Sequence, residues 1–131
     1  MNKTKRDKIR RSLMIYLDCI NTSTNLEIGK IIDITYEGML LISEKPLTIN
    51  TSGNFKIILP LMEQFKDLKI EAKSVCRWNS KEELRELYYI GMEFLEKSDN
   101  FDSIVDLLVN KIGFSDGQKR ISTHIGESKY K

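Results

Sequence analysis

The feature that most constrains this chain is a succession of six short apolar-rich runs with no helical segment between them. They read SLMIYLDCIN, LEIGKIIDIT, GMLLISE, NFKIILP, KIEAKSVCRW and ELYYIGMEFL, from residue 12 to residue 95. In the fifth run Ile70, Ala72, Ser74, Cys76 and Trp78 alternate with Glu71, Lys73, Val75 and Arg77. In the second, Leu26, Ile28, Lys30, Ile32 and Ile34 share one face and Ile31 takes the other. A period of two is that of a strand with one buried side. Turn-forming stretches (NTSTN, SEKPLTINTSGN and the charged NSKEE) separate the runs. Several short strands at close spacing predict an all-β fold, an antiparallel barrel or sandwich. LMEQFKDL, around Pro60, carries a weak helical signal and reads equally as a turn.

The exception to this pattern is SDNFDSIVDLLVNKIGF. Phe101, Ile104, Val105, Leu108 and Ile112 recur at helical spacing, Ser98 or Asp99 can cap the start, and Gly113 can end the segment. One amphipathic helix after six strands packs on the sheet or plugs one end of a barrel. At 131 residues the chain is one domain with enough length for a single core. Its expected organisation is a basic arm at 1–11, a barrel with its helix at 12–114, and a flexible tail at 115–131, where a further short helix is the alternative.

Charge is distributed unevenly. Residues 1–11 hold six bases and one acid, residues 115–131 four bases and two acids, and the body between them eleven bases and sixteen acids. A +5 arm and a +2 tail thus flank a −5 body. Such an arm binds phosphate or nucleic acid, or is a solvated terminus. Cys19 and Cys76 are the only cysteines, both within apolar runs, and His124 is the only histidine. Metal-ligand spacing is absent, so neither a metal nor a cofactor is expected. Two buried free thiols suit a reducing cytoplasm. The first apolar run is short and interrupted by Asp18, unlike a signal peptide, and no stretch approaches the ~20 apolar residues that span a bilayer.

Two constellations could carry chemistry. Arg6 and Arg10 are four residues apart, and Arg11 follows. A guanidinium grips phosphate through two donors and stacks on aromatic rings, so such an arm suits a nucleotide; the plain alternative is a basic end that binds nothing. The second is DITYEG, residues 33–38. Asp33 offers an acceptor to the N1 and N2 donors of guanine, Thr35 a hydroxyl, and Gly38 either a positive φ or close approach of a ligand. Its plain alternative is a hairpin turn in which Asp33 and Thr35 bond local backbone. Trp78 is expected to pack inside the barrel, one ring of the Tyr88–Tyr89 pair to face in and the other out, and Glu82, Glu83 and Glu86 to be solvated. No catalytic residue is identified, and an enzyme is not expected.

Taken together, in order and spacing, the two constellations resemble the PilZ domain, the bacterial receptor module for cyclic di-GMP. RDKIR, Arg6 to Arg10, matches that family's RxxxR motif, and DITYEG matches its D/NxSxxG motif with threonine at 35 in place of serine. VCRW at 75–78 and IGMEF at 90–94 also look like its last strands. The resemblance covers about residues 5–114 and implies a six-stranded antiparallel PilZ-type β-barrel with a C-terminal α-helix. It further implies that Arg6 and Arg10 contact phosphate and stack on guanine, with Arg11 as an additional contact. Asp33 would accept from a guanine edge, Thr35 would bond a phosphate or base, and Gly38 would shape the turn. On this reading the protein is a cytoplasmic sensor that signals in trans to motility, exopolysaccharide or regulatory machinery, through ordering of its arm. Two other readings stay open: a small barrel binding single-stranded nucleic acid, which the acidic body disfavours, and a ligand-free adaptor of the same fold that binds protein.

Overall fold

The computed structural model of the protein describes residues 11–113, and for Arg11 and Ser12 the backbone alone. Six strands follow one another: β1 (Arg11–Asn21), β2 (Leu26–Ile34), β3 (Gly38–Ser43), β4 (Ser52–Ile57), β5 (Glu71–Glu82) and β6 (Leu87–Lys97). A helix, α1 (Phe101–Ile112), completes the described chain. All pairings are antiparallel, and the strands close into a barrel in the order β1-β2-β3-β6-β5-β4. Of the two architectures that the spacing of the runs left open, barrel and sandwich, this is the barrel, with the C-terminal helix that the family resemblance implied. β5 runs further than expected, so NSKEE is mostly strand and the turn falls at 83–86. LMEQFKDL folds as a tight 3-10 turn at Glu63–Phe65 that buries Phe65.

The main core fills the barrel and the space beneath α1. It includes Leu13, Leu17, Ile31, Ile34, Met39, Leu41, Cys76, Ile90 and Met92, and the helix adds Phe101, Ile104, Val105, Leu108 and Ile112, the five predicted positions. The helix cap differs from expectation. Asn100 takes the N-cap position in the left-handed region at φ 63° with no side-chain cap bond. The Ser98 hydroxyl instead accepts from the Glu71 amide, tying the helix start to β5. Gly113 stays extended at φ −91°. Its amide donates to the Val109 carbonyl, and a Cβ there would lie 2.5 Å from that oxygen.

The ladders carry several register shifts, and two of them each move a predicted inward residue outside. In β2 Ile31 pairs with Leu41 and Asp33 with Leu40, so Ile32 is an extra residue. Ile31 and Ile34 therefore face the core while Ile32 turns outward, so Ile32 parts from Ile34, with which the period-two assignment grouped it, and Ile31 takes its place. In β5 Cys76 pairs with Met92 and Trp78 with Gly91, leaving Arg77 as the extra residue. Trp78 consequently leaves the core and joins a separate outer cluster with Ile32, Leu40 and Tyr89. An inserted residue in one strand changes the side-chain phase of all that follows. Tyr88 packs against the inner core and Tyr89 against the outer cluster, as alternation required.

Gly91 makes the outer cluster possible, because the indole lies across it. A Cβ at that position would sit 2.1 Å from the Trp78 Nε1. Gly91→Val is expected to destabilise the protein by about 1–3 kcal/mol through overpacking. Trp78 is the only tryptophan, so a red-shifted fluorescence maximum in the folded variant would report its displacement. An unshifted spectrum with unchanged urea midpoint would refute the packing role of this glycine.

Both cysteines are free and buried. Burial pushes the Cys19 thiol from its ordinary 9.0 up to about 12, with Glu27 adding to the effect. The neutral thiol is thus favoured by folding, a contribution complete below pH 9 and lost as pH rises toward 12. Unfolding midpoints should fall across that window, and Cys19→Val should flatten the fall.

Candidate functional site

The site builds outward from the register of β1 on β2. Arg11 pairs with Ile34 and Ser12 with Asp33, which places the entry to the first strand against the last residues of β2 and beside the turn that follows. Asp33 pairs in turn with Leu40, Leu40 with Gly91, and Gly91 with Trp78. One row of residues therefore crosses five strands from Ser12 to Trp78. Asp33 and Trp78 are three strands apart, about 14 Å measured along the curved barrel wall, and the indole lies back over Gly91. A carboxylate, an aromatic plate and the root of the basic arm thus share one outer face. Asp33 is 1% exposed and Trp78 8%, so both are closed to solvent.

The turn itself is built by Thr35. Its hydroxyl accepts from the Glu37 amide at 3.0 Å and the Gly38 amide at 3.1 Å. The Thr35 amide donates to the Gly38 carbonyl at 2.9 Å, closing the hairpin. Thr35 therefore makes the local bonds of the plain turn reading. Gly38 has no positive φ. A Cβ there would meet the Met92 carbonyl oxygen at 2.3 Å, so glycine is required by the close approach of β6.

The turn is also fastened to α1. The Tyr36 hydroxyl donates to the Asp106 carboxylate, which holds the phenol's pKa above its ordinary value of 10.0. The Lys97 ammonium donates to the Tyr36 carbonyl at 2.9 Å and to Asp102 at 2.7 Å. It also lies 5.5 Å from the Phe101 ring centroid. The Phe94 amide donates to the Glu37 carbonyl at 2.8 Å. Neither Tyr36 nor Lys97 stood out in the sequence. Their partners lie 70 and 61 residues away in the chain, and no local pattern announces such pairs.

Of the predicted site residues, the structure brings Asp33, Thr35, Gly38 and the backbone of Arg11 together, while Arg6 and Arg10 lie outside the described residues. Trp78 belongs to the same face, and no local signal marks it, because its phase is set by the extra residue Arg77 relative to β6. Among the described residues no group of three or more histidine, cysteine or acidic side chains could hold a metal ion, and no helix is long and apolar enough to cross a membrane.

The fold and this face define a class: a small closed barrel with a terminal helix, whose first strand begins beside an acceptor-bearing turn. No protein-family model matches the chain, and no curated protein matches it. Among solved structures it is similar to the Bacillus subtilis inhibitor of motility (MotI/DgrA), at a TM-score of 0.60 and 15% sequence identity, covering 85% of this chain and 52% of that one. The chain spans about half the length of that protein, and the likeness is one of fold.

The Tyr36–Asp106 bond generates a local expectation. Tyr36→Phe removes one exposed hydrogen bond and should cost about 0.5–1.5 kcal/mol. Amide exchange should quicken in the first turns of α1 and at 35–38, with the β5–β6 ladder unchanged. Uniform quickening across the barrel would mean that the bond is not the local tie.

Proposed function

We propose that this protein is a cyclic di-GMP receptor of the PilZ type that acts on a protein partner in trans. One observation carries the reading: β1 is registered so that the RxxxR segment ends where Arg11 meets Ile34, one residue from Asp33 and four from Gly38. The residue that follows RxxxR and the start of the DITYEG segment thus lie side by side at one end of β2. Arg6 and Arg10 take the phosphates and a guanine face, Arg11 adds a further contact, and Asp33 accepts from a guanine edge. Trp78 supplies a plate for base stacking, an interaction worth about 1–3 kcal/mol per base. Thr35 and Gly38 hold the turn in shape, and the Thr35 hydroxyl meets a phosphate or base only if it loosens its bonds to the Glu37 and Gly38 amides.

Asp33 and Trp78 are closed to solvent, so binding requires a movement that uncovers them. The chain before Arg11 is joined to that edge, and its capture of the dianionic ligand is the ordering event that signals. The partner is a protein of motility, exopolysaccharide or regulatory machinery; the likeness to an inhibitor of motility supports the first of these.

Calorimetric titration of the full chain with cyclic di-GMP tests the reading. Binding should weaken about 10–100-fold in Arg10→Ala, the loss of a charge-assisted contact, with the thermal midpoint unchanged. Quenching of Trp78 fluorescence should follow the same curve. No heat at high nucleotide concentration would leave the ligand-free adaptor in its place. Retention of single-stranded nucleic acid that weakens steeply with salt would favour the nucleic-acid reading.

A further inference from the structure

The bulge in β5 does more than turn Trp78 outward: it sets a charged pair beside the indole. In β6, Gly91 and Glu93 flank Met92, which faces the inner core, so both look outward, about 7 Å apart along the strand. The indole lies across Gly91. Arg77, the extra residue of the bulge, reaches Glu93, its Nε donating to Oε1 at 2.6 Å. Its Nη1 makes a long contact of 3.5 Å to the Asn50 Oδ1. The backbone beneath is tied down: the Asn50 amide donates to the Cys76 carbonyl at 2.7 Å, and the Cys76 amide to the Thr51 carbonyl at 2.9 Å. On its other side Glu93 pairs with Gly38, the last residue of the candidate turn. The two charged side chains are 42% and 45% exposed, so they stand open where Asp33 and Trp78 are closed. An exposed ion pair adds little to stability. Of the five N–H groups of a guanidinium, these contacts use two, and the second Glu93 oxygen has no partner among the described residues.

We propose that Arg77 and Glu93 together read the edge of a guanine laid on Trp78, and so determine the specificity for the second base of cyclic di-GMP. This rests on the receptor reading, in which Asp33 reads a guanine. The ligand carries two guanines, and Asp33 is one acceptor three strands away from the indole, so it does not serve both. A guanine edge presents the O6 acceptor next to the N1 and N2 donors. The remaining N–H groups of Arg77 match O6, as a guanidinium does in reading guanine elsewhere, and the Glu93 carboxylate accepts from N1 and N2. The ion pair fixes donor and acceptor side by side, in the order that the base requires. An adenine in the same place presents an amino donor to the guanidinium and a bare N1 to the carboxylate. Donor then meets donor and acceptor meets acceptor, which rejects the wrong base as well as favouring the right one.

The test compares cyclic di-GMP with the mixed cyclic dinucleotide that carries one guanine and one adenine. Both have the same two phosphates, so the gap between their affinities isolates the reading of the second base. The full chain should bind the mixed ligand about tenfold or more weakly, the discrimination that one two-point base contact supplies. In Glu93→Gln and in Arg77→Met the gap should close to about twofold, chiefly through weaker binding of cyclic di-GMP. The double variant should add little to either, because the two side chains act on one base as a unit. Thermal midpoints near that of the unmodified chain confirm that the variants are folded. A merely structural pair would weaken both ligands alike and leave the gap as it was. A gap that persists in both single variants, or no gap in the unmodified chain, would overturn this proposal while the receptor reading stands. Failure of the unmodified chain to bind either ligand would overturn the receptor reading and this proposal with it.

Discussion

The pairing of β1 with β2 is the constraint on which the remainder of the structure depends. It is interrupted twice, between Ser12 and Leu17 and again between Cys19 and Ile20, and the first break is the larger. Ser12 faces Asp33 and Leu17 faces Ile31, so Leu13–Tyr16 stand against Ile32 alone. Across that interruption Leu13 turns inward and bridges to Gly113, at the end of α1. The same interruption leaves Met14 and Ile15 each 52% exposed. Beside the break one strand does two things: Leu13 seals the helix end of the barrel, and Arg11 and Ser12 pair with the end of β2.

The barrel then has two apolar regions with different roles. The inner one, filled from all six strands and α1, holds the fold. The outer one is small, formed by Ile32, Leu40, Trp78 and Tyr89, and is created by bulges at Ile32 and Arg77. Bulges redirect side chains and are found beside functional sites for that reason. In this protein both bulges act on the same face, one presenting Ile32 and Asp33, the other Trp78. Asp33 gains its place on a buried outer face only because the strand phase shifts one residue before it.

Electrostatics links this face to the helix. The 35–38 turn is held from within by Thr35 and from outside by Tyr36 on Asp106 and Lys97 on Asp102. These outer contacts are exposed, and each is worth little by itself. Their significance is positional: a turn beside the candidate site and a helix at the barrel end share side-chain contacts, so a displacement of one is felt at the other.

The sequence determined the strand number, the helix and most of the core, because apolar spacing is a local property that burial then enforces. All six runs became strands, and the five helical positions from Phe101 to Ile112 are buried. Candidate residues Asp33, Thr35 and Gly38 were legible as a group because a hairpin keeps neighbours together. The facing of Trp78 and Ile32 was not, since it turns on single inserted residues whose effect exists only relative to a partner strand. Gly38 and Gly91 were visible as glycines, but the reason for them, a carbonyl and an indole arriving from other strands, was not. Nor was Tyr36–Asp106, and the proximity of Arg11 to Asp33 followed only from the family resemblance, because closure of a barrel decides which distant segments meet, and no single strand carries that information.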